Sequence, residues 1–174
     1  APARERVGCT PHCASWPSTL RKKSTALSSP PERRTAVLGM RYSLSMYLVT
    51  KRIDFCYGHR LLDYDGVCKH PHGHNAMVEV DVRTDRLDKR NMVADFSDIK
   101  RIVKGWIDRE LDHKMILRHD DPLVKPLQAL GEPIYILDSN PTVERIAKLI
   151  FDKSREQGLD IVAVRVWETP TSRT

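Results

Sequence analysis

At 174 residues the chain is long enough for one domain with a real core and too short for two full ones. No apolar run approaches the roughly 18–20 residues that cross a bilayer, which excludes a membrane-spanning helix, and four cysteines at uninformative spacing exclude a disulfide-built scaffold. The formal net charge of +6 suggests a nucleic-acid partner until it is located: residues 1–45 hold eight basic and two acidic side chains, whereas the rest of the chain holds 21 of each.

The first 45 residues are rich in Ser, Thr and Pro and show no apolar rhythm, so the expectation for 1–45 is a basic, disordered extension on a domain at 46–174. The segment is basic and acid-poor like a transit peptide, but it carries several prolines and no clean amphipathic helix. A functional start near Met40 or Met46 is expected, with the residues before it a translated upstream region or a dispensable extension. Cys9, His12 and Cys13 make at most half of a metal knuckle.

In the neutral part, Tyr47, Val49, Ile53, Phe55 and Tyr57 share one parity, which predicts a half-buried strand over 46–57. Ala76, Val78, Val80 and Val82 predict a second strand. Asp95 caps a helix whose stripe is Phe96, Ile99, Ile102, Val103, Trp106, Ile107 and Leu111. Pro122–Leu130 suggests a short helix ended by Gly131, and Ile134–Leu137 a short strand. Asn140-Pro141 reads as an N-cap followed by Pro in the first turn of another helix, with the stripe Val143, Ile146, Ala147, Ile150 and Phe151 and a stop at Gly158. Ile161–Glu168 is a third strand, with Val162, Val164 and Val166 on one face. The order strand, strand, helix, helix, strand indicates an α+β layer: an antiparallel sheet with two helices packed on one face.

Six of the seven histidines lie in this part, three of them in Cys68-Lys69-His70-Pro71-His72-Gly73-His74. In extended chain His72 and His74 point to one side, as a metal requires of a short segment. His59, on the parity of Phe55 and Tyr57, is the best third ligand; His70 is an alternative that Pro71 points elsewhere. Three imidazoles leave one position of a zinc ion open, a catalytic arrangement. Cys68 beside such a metal is a candidate base or nucleophile, while Cys56 reads as inert packing. Asp112-His113 is either a proton-transfer pair or a helix C-terminal cap. Glu168, continuing an apolar strand face, either grips a donor-rich edge such as a guanidine or amidine or reaches solvent. His119, in a charged loop, reads as solvated.

Together these pieces resemble the 6-pyruvoyl-tetrahydropterin synthase and 6-carboxytetrahydropterin synthase family over about Met46–Thr171. The resemblance rests on Phe55-x3-His59-Arg60-Leu61, Cys68-x3-His72-Gly73-His74-Asn75, Asp95-Phe96, Leu111-Asp112-His113, Asn140-Pro141-Thr142 and Glu168-Thr169. It implies a tunnelling fold in a cytoplasmic homo-oligomer, a hexamer made of two trimers, with a small-molecule pterin substrate and no nucleic-acid or membrane partner. It also implies Zn2+ held by His59, His72 and His74, a catalytic group of Cys68, Asp112 and His113, and pterin contacts from Glu168 and Thr142. The substrate would be 7,8-dihydroneopterin triphosphate, with Cys68 as base and Asp112–His113 handling other proton transfers. The three-residue gap from Cys68 to His72 is similar to the bacterial carboxy type, which acts in 7-deazaguanine and queuosine biosynthesis; a pyruvoyl-type lyase and a truncated, inactive relative are the alternatives. Two departures from the family pattern are a last strand cut short at Ser172-Arg173-Thr174 and a 116–139 segment longer than in compact members.

Overall fold

A computed structural model describes residues 46–174; the expectations for 1–45, including Cys9, His12 and Cys13, lie outside them. Strand β1 (Tyr47–His59) pairs antiparallel with β2 (His72–Thr84) through thirteen consecutive residue pairs, from Tyr47 opposite Thr84 to His59 opposite His72. The alternation predicted this: Ile53, Phe55, Tyr57, Ala76, Val78 and Val80 are all buried on one face.

After β2, α1 (Phe96–Ile99) opens at Asp95, whose carboxylate accepts from the Ser97 N–H at 2.8 Å. It continues through a π-helical turn (Lys100–Lys104) into α2 (Gly105–Glu110). Ile99, Val103, Trp106, Ile107 and Leu111 are buried as the stripe predicts, but Phe96 is exposed and stands outside the core. Next come β3 (Lys114–Arg118), α3 (Val124–Ala129) and β4 (Ile134–Leu137). The long helix α4 (Val143–Glu156) buries Ile146, Ala147, Leu149 and Ile150. The chain then forms β5 (Ile161–Thr169) and the two-residue strand β6 (Ser172–Arg173).

The six strands lie in the order β4-β3-β1-β2-β5-β6, and the helical stripes pack with the apolar sheet face in one core. Three expectations need correction. The sheet is mixed rather than purely antiparallel, because β3 runs parallel to β1 and to β4. The Met115-Ile116-Leu117 run carries no alternation to announce β3, since Ile116 and Leu117 are both fully buried. On β5 the register shifts where Asp81 and Val82 meet it, so Ile161 pairs with Val82 and turns inward while Val162 is exposed. Lastly, the N-cap of α4 is Thr142, whose Oγ1 accepts from the Arg145 N–H at 3.3 Å, and not Asn140. The long 116–139 segment thus builds two strands and a helix that widen the sheet beside β1.

On the sheet face turned away from the helices, Arg52 donates to Glu79 at 2.9 Å and Arg165 to Asp81 at 2.7 Å, so charged pairs share this side with Met77, Ala163 and Trp167. Beyond β1, Arg60 forks onto the fully buried carboxylate of Asp121, with Nε donating to Oδ2 at 2.7 Å. Burial alone would raise the Asp121 carboxyl, but the Arg60 bond and the Leu123 N–H hold it below the usual carboxylate range. A depressed folded pKa contributes stability that is complete above the unfolded value of about 3.9 and is lost as pH falls through the folded value. Asp121→Asn is therefore expected to cost about 2–4 kcal/mol near neutral pH in urea unfolding and to flatten the stability–pH curve below about pH 4; an unchanged curve would show that the pair contributes nothing.

Candidate metal centre and its surroundings

Direct pairing of His59 with His72 and of Tyr57 with His74 places four rings on the core face at one end of the β1–β2 ladder. Between them Gly58 faces Gly73. A Cβ on Gly58 would lie 3.0 Å from the Met115 methyl, so a larger residue there would have to push the Met115 side chain aside.

His59 Nε2 lies 3.0 Å from His72 Nε2 and 3.1 Å from His74 Nε2. The outer nitrogens show which tautomers are present. His59 Nδ1 donates to the Pro141 carbonyl at 2.7 Å, and His72 Nδ1 donates to the His70 carbonyl at 2.8 Å. A carbonyl can only accept, so both rings turn a bare Nε2 lone pair inward. Lone pairs facing one another at such distances repel unless a cation lies among them, and this donor set fits a metal ion. Burial pushes the His59 pKa down, outweighing the Pro141 bond and the Glu168 charge; the neighbouring imidazoles push it the same way. His70, the alternative ligand, is exposed and serves through its backbone.

Asn140, Pro141 and Thr142 carry this geometry across the chain. The Asn140 side chain accepts from the Leu62 N–H at 3.0 Å and donates to the Leu62 carbonyl at 2.8 Å, Pro141 receives His59, and Thr142 caps α4. Cys68 sits half-buried in a single 3-10 turn (Val67–Lys69), its carbonyl accepting from the Leu61 N–H at 2.8 Å. Glu168, near the end of β5, accepts from the Tyr57 hydroxyl through Oε1, which is 3.8 Å from both His59 Nε2 and His74 Nε2. Burial, then the Glu168 bond and charge, drive the Tyr57 phenol far above its ordinary pKa, so it stays a donor.

The opposite sheet face holds a second group. Asp112 Oδ1 accepts from the Cys56 N–H at 2.8 Å, and Oδ2 lies 2.9 Å from His113 Nδ1. Burial alone would raise the Asp112 carboxyl; these two bonds, Cys56 first, hold it below the usual range. Cys56 Sγ donates to Asn75 Oδ1 at 3.0 Å. Within one chain the structure therefore brings Asp112 and His113 to Cys56, and Cys68 is in neither this cluster nor the imidazole trio. The cluster opens on a cavity of about 690 Å³ walled by Met115, Leu127, Leu130 and Pro133. Sequence reasoning missed Cys56 and Tyr57 as site residues, although strand parity puts Tyr57 beside His59; it had no local signal for Cys56.

A curled mixed sheet, helices on one face and a convergent histidine trio define an α+β protein of the tunnelling-fold class with a candidate metal centre. Residues 48–174 match the family described as 6-pyruvoyl tetrahydropterin synthase. A 6-carboxy-5,6,7,8-tetrahydropterin synthase of Rickettsia conorii is 36% identical over 132 residues, 72% of this chain and 96% of that relative. Among solved structures, an uncharacterized protein from Wolinella succinogenes superposes with a TM-score of 0.62 at 28% identity, over 74% of this chain and 96% of that one. The 6-pyruvoyl tetrahydropterin synthase of Caenorhabditis elegans shares the fold with a TM-score of 0.57 at 21% identity, over 75% and 94%. The chain belongs to the 6-pyruvoyl tetrahydropterin synthase family.

His113 adopts φ 57°, a left-handed conformation that costs a non-glycine residue about 1–2 kcal/mol. Glycine would relieve this against about 0.5–1 kcal/mol of extra chain entropy. His113→Gly should leave stability unchanged or raise it by up to about 1 kcal/mol in urea unfolding; a clear loss would show that the imidazole holds the fold together.

Proposed function

We propose that the chain is a cytoplasmic, zinc-dependent 6-carboxy-5,6,7,8-tetrahydropterin synthase in 7-deazaguanine and queuosine biosynthesis. It converts 7,8-dihydroneopterin triphosphate and one water to 6-carboxytetrahydropterin, acetaldehyde and triphosphate. The observation that carries the reading is the convergence of the His59, His72 and His74 Nε2 atoms beside the Glu168 carboxylate. The relatives named for this product, matched over nearly their full length, and the short gap between Cys68 and His72 support the carboxy over the pyruvoyl type.

In this reading a bound zinc ion supplies Lewis acidity to a substrate oxygen. His59, His72 and His74 hold it through Nε2. Glu168 accepts hydrogen bonds from the donor edge of the pterin, with Thr142 beside the same pocket. Cys68, as thiolate, takes a proton from the substrate side chain, and His113, held by Asp112, carries out the other proton transfers. Cys56 and His113 lie on the sheet face opposite Tyr57 and His59, so Cys68 and the Asp112–His113 pair would act together across copies of the chain. A homohexamer of two trimers provides such contacts.

Incubation with 7,8-dihydroneopterin triphosphate and mass analysis tests the reaction. Acetaldehyde with a carboxypterin is the expected result, a pyruvoyl product would move the chain to the pyruvoyl type, and no reaction would mark an inactive relative. Cys68→Ala should abolish turnover with zinc retained, and His74→Ala should lose the metal. Full zinc occupancy in the second variant would remove His74 from the ligand set.

A further inference from the structure

The geometry points to Tyr57 as a positioning residue that holds Glu168 just outside the metal's coordination sphere, which keeps the carboxylate for the pterin and the fourth metal position for substrate. This rests on the metal and pterin roles proposed above.

The ring of Tyr57 is 3% exposed and cannot swing. It stacks on Phe55 at 5.4 Å between ring centroids and meets the His59 ring edge-on at 5.3 Å, with the His74 ring at 5.7 Å. Its hydroxyl donates to Glu168 Oε1, the oxygen that faces the imidazoles. Two donor atoms sharing a four-coordinate zinc at about 2.1 Å lie roughly 3.4 Å apart. Oε1 stands 3.8 Å from the Nε2 atoms of both His59 and His74, about 0.4 Å beyond that spacing, whereas the imidazole nitrogens themselves stand 3.0 and 3.1 Å apart.

A carboxylate this near a divalent cation, with side-chain torsions free to turn, would close onto it and occupy the open position. The bond from the immobile phenol opposes that movement, and it does so at the oxygen that would have to move. The second carboxylate oxygen is left for an external donor.

The test measures zinc affinity by competition with a chromophoric chelator for wild type, Tyr57→Phe, Glu168→Gln and the double variant, with folding followed by circular dichroism. Tyr57→Phe keeps the ring packing and removes only the tether. It should bind zinc roughly tenfold more tightly, as Glu168 becomes a ligand, and the cobalt-substituted variant should show an altered visible spectrum. Glu168→Gln should leave zinc affinity near wild type, and Tyr57→Phe should add no tightening in that background. Unchanged or weaker zinc binding in folded Tyr57→Phe overturns the proposal, as does a large loss of affinity in Glu168→Gln, which would make Glu168 a ligand already. If wild-type zinc binding is instead indifferent to His74→Ala, the metal reading falls and this proposal falls with it. Dependence on His74 without response to Tyr57→Phe removes the proposal alone.

Discussion

The uninterrupted register of β1 on β2 is the constraint on which the candidate site depends. Thirteen consecutive pairs run along this ladder without a bulge, and the apolar parity of Ile53, Phe55, Val78 and Val80 fixes them in phase. A slip of one residue would turn all of these side chains out to the charged face, which the hydrophobic effect forbids at about 1.5–3 kcal/mol per side chain. Tyr57, His59, His72 and His74 simply continue that parity to the end of the ladder. Their convergence is therefore enforced by core residues that carry no chemistry of their own.

The strands aim the imidazoles, but the loops decide which nitrogen each one offers. Pro141 lies 82 positions from His59 and nevertheless fixes its tautomer, because Asn140 clamps Leu62 from the same stretch and Thr142 starts α4 there. Each such bond is worth only about 1 kcal/mol of net stability. Their value lies in specification: with Nδ1 committed to a carbonyl, Nε2 has no proton to offer its neighbours and is left as a bare donor atom. If the proposed metal binds there, it relieves the repulsion between facing lone pairs, and metal binding and stability are linked.

Much of this could be read from the sequence, and the failures have physical causes. Strands with one wet face alternate, so β1, β2 and the inner positions of β5 were visible, as were the helical stripes and the three imidazoles. β3 is buried on both sides and shows a plain apolar run. The inversion of Ile161 and Val162 follows from a bulge set by the partner strand, which no local pattern encodes. Asn140 looks like a helix cap because its side chain suits one; tertiary contact with Leu62 claims it instead. The pairing of Asp112 with Cys56, 56 residues apart, depends on the return of the chain after α2 beside β1.

Cys56 and Tyr57 are adjacent in sequence and face opposite sides of the sheet, so two chemically distinct groups are built back to back. One centres on the buried His59, with His72 and His74 partly exposed beside it. The other is open, with His113 in a left-handed conformation and its side chain 79% exposed. Asp112 occupies Nδ1, which leaves Nε2 as the ring nitrogen facing outward. In the proposed oligomer that nitrogen is available to a site on another copy. In that reading the pleat separates two duties within each subunit: the inner face would hold the metal, and the outer face would present a proton carrier. Both are anchored to the same strand, so the register that aligns the imidazoles also sets the height at which the carrier is presented.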